Sequence, residues 1–370
     1  MGFFSAILSW FQFHLNVILH AGLPLVFWVQ PKWSIDHDVP DQSGKVILVT
    51  GGNSGTGYST ALSLYNAGAK VYIACRNQQK AKEAIKNIQN NNIMTLDGSF
   101  KPNPGKNSNI KTGTIEFIKL DLTDLASVDE CAQEFLKKEQ KLDVLFANAG
   151  VMASPEGIYT KQGYTLQFGT NVLGHQRLIS LLLPLLLSSP PTNPSRVILT
   201  SSAGHAGAPK GGIDFKSVVR DPSEGSISTQ NENPKQGKSE KPKWVEYGQS
   251  KWGNIALAKY LYNEYGRKGR LISVAVHPGM IATNLAQHLS LTPYVIKYAP
   301  WLAPIITRTP NIGAVNQVWA ATISDHDARW IDGQYIVPYR KVGISRPDLK
   351  DDEKIDEVWN WCEEQGKKWA

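Results

Sequence analysis

The sequence predicts an α/β fold: a doubly wound parallel sheet of about seven strands with helices on both faces. Three observations carry this. Short β-branched runs alternate with stretches long enough to be crossover helices. The first run ends in a glycine-rich turn, Thr50-Gly51-Gly52-Asn53-Ser54-Gly55-Thr56-Gly57. Residues of catalytic type then recur just beyond the ends of later runs, where open α/β sheets bind ligands. The composition agrees. The chain has 370 residues, 42% of them hydrophobic and 19% charged, with 11 Trp, 13 Tyr and 11 Phe. A chain so rich in aromatics and modest in charge is not disordered.

The elements follow in order. Residues 45–50 (Lys-Val-Ile-Leu-Val-Thr) read as a buried strand. A helix is expected over 55–67, a second strand at 70–74 and a polar helix over 78–90. Residues 91–113, rich in Asn, Gly, Pro and Lys, read as a polar insert. The third strand is 114–120, and Asp124 is a plausible N-cap for the next helix. The fourth strand is 144–147, followed by a long helix over about 163–187. The fifth strand is 196–200, and a second polar insert spans about 214–243. A helix over about 247–265, a sixth strand at 271–276 and a seventh at 334–337 complete the pattern. No internal repeat or second core appears. One domain is therefore expected over 45–340, after an apolar segment 1–44 and before a C-terminal tail 341–370.

Several function classes are excluded. The formal net charge is +7, but the basic excess is not gathered on one element. The densest basic stretch, 235–243, lies among Gly, Ser, Pro and Asn and reads as a solvated loop, so no nucleic-acid partner is expected. Cys75, Cys131 and Cys362 are too few and scattered for a disulfide scaffold. No His-Glu-x-x-His spacing is present, so no metal is expected.

The N-terminus is distinctive. Residues 1–31 contain no Asp, Glu, Lys or Arg, and Trp10, Trp28 and Trp33 flank or punctuate an apolar run. A basic n-region is lacking, so this is not read as an export signal. Gln12, His14, Asn16 and His20 interrupt the run, and Gly22 and Pro24 break it. A spanning helix needs about 20 apolar residues, so a short anchor, a bent insertion or an interfacial segment fits better. A helix packed on the domain's own core is the alternative. The first cation is Lys32, on the carboxyl side, which would leave the body in the cytosol.

The glycine turn is a candidate pyrophosphate cradle. Its glycines let the backbone approach a phosphate, and the helix N-terminus attracts it. Gly51, Asn53, Ser54, Gly55, Thr56 and Gly57 are the candidate contacts, against the plainer reading of an ordinary βα turn. The end of strand two reads Ile73-Ala74-Cys75-Arg76-Asn77. It lacks the acid that an NAD site uses for its ribose diol, and Arg76 suits a 2′-phosphate. This favours NADP(H). In the alternative, Arg76 only stacks on adenine and NAD binds.

Tyr247 and Lys251 stand at i and i+4, on one helix face. They come last in a chain order that includes Asn148-Ala149-Gly150 after strand four and Ser201-Ser202 after strand five; His277-Pro278-Gly279 follows strand six. At these residues the chain resembles the short-chain dehydrogenase/reductase family, over about 45–337. Thr50, Gly51, Gly55 and Gly57 match its glycine motif, Asn148 to Gly150 its Asn-Ala-Gly element, and Asn171 its helix asparagine. Ser202, Tyr247 and Lys251 match its catalytic serine, tyrosine and lysine, and Asp121-Leu122 resembles its adenine-contacting pair. Ala-Cys-Arg-Asn and Leu-Gln-Phe-Gly-Thr-Asn-Val-Leu-Gly-His look like retinol-dehydrogenase-like members and their fungal relatives.

The resemblance implies a single-domain Rossmann fold and an oxidoreductase. Tyr247 would be the general acid/base, Ser202 would bind the reacting oxygen, and Lys251 would lower the Tyr247 pKa and hold the nicotinamide ribose. Asn171 would order a water beside Lys251. Pro278, Gly279 and Thr283 would contact the nicotinamide end.

One departure stands out. Ser202 and Tyr247 are 45 positions apart (247 − 202), wider than the family's interval. The insert at 214–243 accounts for the excess, either bulging outward or lying over the site. Residues 285–306 occupy the family's variable substrate lobe and are apolar and aromatic. They suit a lipophilic alcohol, aldehyde or ketone, or else pack the domain or a homo-oligomer interface. Together with the N-terminus they suggest a membrane or lipid-droplet surface, at the endoplasmic reticulum or a lipid droplet, with a cytoplasmic protein as the alternative. Two other functions remain open: a catalytically silent NADP(H)-binding regulator and a lipid-surface scaffold.

Overall fold

A computed structural model of the chain describes residues 31–105, 111–155, 157–220, 243–279, 281 and 308–369. Its first strand, β1 (Val46–Thr50), has every residue buried, as a strand covered on both faces must. Helix α1 (Gly55–Asn66) follows, then β2 (Lys70–Cys75) and α2 (Gln78–Gln89). Two short strands, β3 (Asn92–Met94) and β4 (Phe100–Pro102), precede β5 (Thr114–Lys119). Helix α3 (Leu125–Lys138) is capped as its sequence predicts, with Asp124 accepting from Ala126 N at 3.2 Å. Strand β6 (Val144–Ala147) leads to a helix that enters through Leu166–Phe168, widens into a π turn over Gly169–Leu173 and continues as α4 (Gly174–Leu186). After β7 (Ser195–Thr200) come α5 (Lys243–Leu261), β8 (Leu271–Val276), α6 (Pro310–Thr322), α7 (Asp325–Ile331), β9 (Tyr335–Val337), β10 (Lys341–Val342) and α8 (Asp352–Lys367).

The main sheet has the order β10-β9-β8-β7-β6-β1-β2-β5. All its pairs are parallel except β9–β10. Alternate side chains feed two cores. Leu48 and Tyr72 face α3, α4, α5 and α8, whereas Ile47, Val49 and Ile73 face α1, α2, α6 and α7. Strand β1 sits between β2 and β6, so the connection reverses direction there. The crevice at such a reversal, at the carboxyl ends of the strands, is where this architecture binds ligands.

The sheet therefore has eight strands, not about seven. The eighth, β10, is only two exposed residues long, too short to leave a pattern in the sequence. The insert at 91–113 is not all loop: β3 and β4 pair antiparallel, with Ile93 opposite Lys101. The stretch expected as a tail is packed. Trp359 is 6% exposed and stacks on Tyr260 with ring centroids 4.3 Å apart, and Cys362 is fully buried. Packing also begins before residue 45. Ile35 and Val39 are buried, Trp33 packs against the same core, and Ser63 Oγ donates to Ile35 O at 2.8 Å. The apolar segment 1–30 and residues 221–242 of the second insert lie outside the described residues. Among the described residues, no helix is long and apolar enough to cross a membrane.

Candidate active site

The glycine turn hands β1 over to α1 at the sheet's carboxyl edge. A Cβ on Gly57 would lie 2.4 Å from Gly51 O and 2.5 Å from Asn148 Nδ2, so only glycine lets the turn close against Asn148. Gly55 holds φ of +55°, a conformation that costs other L-residues. The Ser54 side chain at the α1 N-cap makes no cap hydrogen bond. The turn thus presents helix-start amides and a hydroxyl beside the crevice, a donor set that fits a pyrophosphate.

Asn148 braces this turn. Its Nδ2 donates to Thr50 O at 2.9 Å, and its Oδ1 accepts from Thr56 Oγ1 at 2.9 Å. Thr50 answers from β1: its Oγ1 accepts from Asn148 N at 3.0 Å and Ala149 N at 2.9 Å. The same oxygen lies 2.9 Å from His175 Nε2, and His175 Nδ1 lies 3.0 Å from Asn171 O. A carbonyl only accepts, so Nδ1 carries the ring proton, and the one Thr50 hydroxyl proton is shared between His175 Nε2 and Phe146 O at 3.1 Å. Burial pulls His175 down to about 4, so it is a neutral connector between the glycine turn and the helix that bears Asn171.

Asn171 lies inside the π turn, a form frequent at functional sites. Its Oδ1 accepts from Val151 N at 2.8 Å, while Nδ2 donates to Val151 O and Ser250 Oγ, both at 2.9 Å. A Cβ on Gly150 would lie 3.0 Å from Asn171 Oδ1 and 3.4 Å from Lys251 Nζ. Gly150 is therefore the point where Asn171 and Lys251 converge.

Ser202, Tyr247 and Lys251 meet despite their separation in sequence. Ser202 follows β7, and a Cβ on Gly204 would meet both the Tyr247 ring at 2.8 Å and Ser202 Oγ at 3.4 Å, so the two side chains adjoin. Ser202 Oγ also accepts from Gly204 N at 3.0 Å, capping a short 3-10 turn. One turn of α5 below Tyr247, Lys251 Nζ donates to Thr200 O at 3.0 Å and stands 5.6 Å from the Tyr247 ring centre. The resemblance implies a Tyr247 pKa lowered by Lys251 together with an oxidised nicotinamide, and Lys251 by itself does not produce that lowering. Burial pushes Tyr247 up to about 12, opposed by the adjoining Ser202 hydroxyl, and pulls Lys251 down to about 8. The ammonium is beside the ring and bonded to a carbonyl, so its field does not overcome desolvation of the phenolate.

The remaining candidates line the same edge. Arg76 is exposed just after β2, and the next residue, Asn77, caps α2 by accepting from Lys80 N at 2.9 Å. Asp121 follows β5 with its Oδ1 engaged by Thr123 N and Oγ1 at 2.9 and 2.7 Å. Leu122 is buried in the core beside α4. Pro278 and Gly279 follow β8 and are half-buried. Asn53, Ser54 and Thr56 are half-buried in the turn, as are Asn148, Ala149 and Gly150 after β6. Thr283 and the apolar stretch 285–306 lie outside the described residues.

Sequence reasoning missed Thr50 as a hub, His175, and Gln317. The last reaches from α6 to Asn148 Oδ1 at 3.3 Å and to Thr56 O at 3.4 Å. Only His175 carried a local signal, one helical turn beyond Asn171. The others depend on contacts between distant segments.

Comparison with known proteins agrees with this geometry. A family model described as short chain dehydrogenase matches residues 45–213. A short-chain dehydrogenase/reductase of Armillaria gallica is 38% identical over 344 residues, covering 92% of this chain and 96% of that one. Human retinol dehydrogenase 14 is 31% identical over 321 residues, covering 86% and 85%. A solved structure from Mycobacterium paratuberculosis superposes with a TM-score of 0.61 at 25% identity, covering 90% and 97%. The chain belongs to the short-chain dehydrogenase/reductase family, in its retinol-dehydrogenase-like fungal subgroup. It is an oxidoreductase of a family that binds a nicotinamide cofactor and acts on small molecules.

Proposed function

We propose that the protein is an NADP(H)-dependent oxidoreductase that interconverts a carbonyl and an alcohol on a lipophilic substrate. The observation that carries this is the cluster of Ser202, Tyr247 and Lys251 beside the glycine turn. A nicotinamide bound in the crevice supplies the hydride in reduction. Tyr247, protonated at neutral pH, gives its proton to the carbonyl oxygen as that oxygen gains charge. Ser202 donates a hydrogen bond to the same oxygen. Lys251, charged below about 8, stabilises the phenolate left behind and holds the ribose. Asn171 keeps the 150–151 segment against Lys251. Arg76 pairs with the 2′-phosphate, and Asp121 with Leu122 borders the adenine. Pro278 and Gly279 border the nicotinamide, and the family resemblance alone assigns Thr283 the same role.

The lipophilic assignment rests on apolar surface near the site. Trp244 is 46% exposed and meets Tyr247 edge-on at 6.2 Å. The sequence at 285–306 is apolar, and the similarity to a retinol dehydrogenase points the same way. The uncharged segment 1–31 supports association with a membrane or lipid-droplet surface, the body facing the cytosol.

The test is NADPH oxidation by the purified chain against aldehydes and ketones of graded length. Turnover should rise with chain length. Tyr247→Phe should abolish turnover with NADPH binding retained, and unchanged turnover would refute the mechanism. Arg76→Ala should weaken NADPH far more than NADH. Equal weakening would remove the phosphate contact from the account.

A further inference from the structure

The hairpin in the first insert takes no part in the reaction described above, yet it is built against the cofactor turn. It lies along α1. At the far end of the helix, Asn66 Nδ2 donates to Asn91 Oδ1 at 2.8 Å. In the first turn, Tyr58 Oη donates to Asn92 O at 2.6 Å, and the Tyr58 ring meets Phe100 at 5.2 Å. At the very start of α1, Gly55 N donates to Met94 Sδ at 3.3 Å. Met94 is only 9% exposed and belongs to the core that includes Tyr58, Ala81 and Ile88.

This contact is specific in kind. The first amides of a helix have no partner within the helix, and a Rossmann-type turn directs them at phosphate. One of them is assigned here to a thioether from an added hairpin. Sulfur is a weak acceptor, but the unbranched Met side chain adapts to an irregular gap. The opposite side of the turn is held by Asn148, through Thr56 Oγ1 at 2.9 Å and the close approach of Gly57. The turn is therefore clamped from two sides, by Asn148 from the crevice and by Met94 from the hairpin.

We propose that the β3–β4 hairpin is the outer wall of the dinucleotide site, and that Met94 is a positioning residue whose sulfur fixes the Gly55 amide and with it the phosphate-binding turn. This rests on the nicotinamide dinucleotide reading of that turn. The hairpin acts on cofactor affinity and not on the chemical step, because Ser202, Tyr247 and Lys251 are held by other elements.

The experiment uses the full chain, with NADPH affinity from fluorescence titration and kcat at saturating NADPH. Met94→Leu keeps the volume and removes the acceptor, Met94→Ala removes both, and Met94→Gln restores an acceptor oxygen at similar reach. Leu should raise the NADPH Kd about threefold and Ala about tenfold, the range a lost neutral hydrogen bond and its packing predict. Gln should stay within about twofold of the parent, and kcat should hardly move in any of the three. Parent-like Kd in both Leu and Ala overturns the proposal. So does a parallel fall of affinity, kcat and melting temperature in which Gln is no better than Leu, which would mark a purely structural role. If the parent chain binds no nicotinamide dinucleotide, the reading of the site itself fails. Parent binding with unaffected variants overturns only the role of Met94.

Discussion

A phenol buried to 6% exposure and pushed up to about 12 is protonated at neutral pH, which is the state the proposed role of Tyr247 as general acid in reduction requires. The group that titrates nearer neutrality is Lys251, drawn down to about 8 because its ammonium is desolvated. The sign follows for activity. Below about 8 Lys251 is charged and supports the developing phenolate; above it the charge is lost while Tyr247 keeps its proton. The kcat/KM for carbonyl reduction should therefore fall with a slope near −1 as pH rises through about 8. In Lys251→Arg the residual activity should lose that limb, since guanidinium stays charged. A pH–rate profile checks both, and a limb that persists unchanged in the Arg variant would assign the titration to another group. At this scale the sequence was informative where function depends on short spacing. The i, i+4 spacing of Tyr247 and Lys251 marks them only together with their place after Ser202 in the chain and the family motif they match. Thr50 and His175 are 125 positions apart, and nothing local shows that they share a hydrogen bond. The rise in the Tyr247 pKa has a related origin, since burial comes from the whole neighbourhood and not from one adjacent charge.

Elements show the same division. The buried strands and longer helices were legible because their period and length are strong signals. Strand β10 and the hairpin β3–β4 are two or three residues each, below what periodicity resolves. Helix α8 reads as a tail in sequence because its many charges mask a narrow apolar stripe of Ile355, Val358, Trp359 and Cys362. That stripe packs onto α5, the helix that carries Tyr247. Trp361 meets Tyr164 and Phe168 edge-on at 5.9 and 5.8 Å, just ahead of the π turn that holds Asn171. Trp252 Nε1 of α5 donates to Asp348 Oδ1 at 2.9 Å, in the turn before α8. The C-terminal segment thus buttresses the two helices that carry Asn171 and Tyr247. Trp359→Ala should cost about 3–5 kcal/mol of stability, the range for deleting a buried Trp, and should lower the urea midpoint with little change in the denaturant slope. A loss below about 1 kcal/mol would show that the Tyr260 stack is not part of the fold's cohesion.

For the whole molecule, the chain divides unequally around its active crevice. The body from Trp33 onward is tied to the sheet: Trp33, Ile35 and Val39 pack on the α1 side, and Gln42 N donates to Ala67 O at 2.7 Å. Residues 1–31 carry no charged side chain, so their removal takes away apolar surface without cutting an ion pair. The membrane reading makes a specific demand of this arrangement. A chain starting at Lys32 should fold with an unchanged melting temperature and keep its kcat on a short, water-soluble aldehyde within about twofold. The same chain should lose sedimentation with lipid vesicles, because interfacial binding scales with buried apolar area. Its rate on a long-chain substrate held in those vesicles should fall, since enzyme and substrate no longer share a surface. The opposing account, a helix packed on the domain's own core, predicts a lowered melting temperature instead, from apolar surface uncovered at roughly 25 cal/mol per Å². Vesicle sedimentation and thermal unfolding of the same truncated protein separate the two. Lost binding with intact stability supports the membrane segment, and retained binding or a destabilised body rejects it.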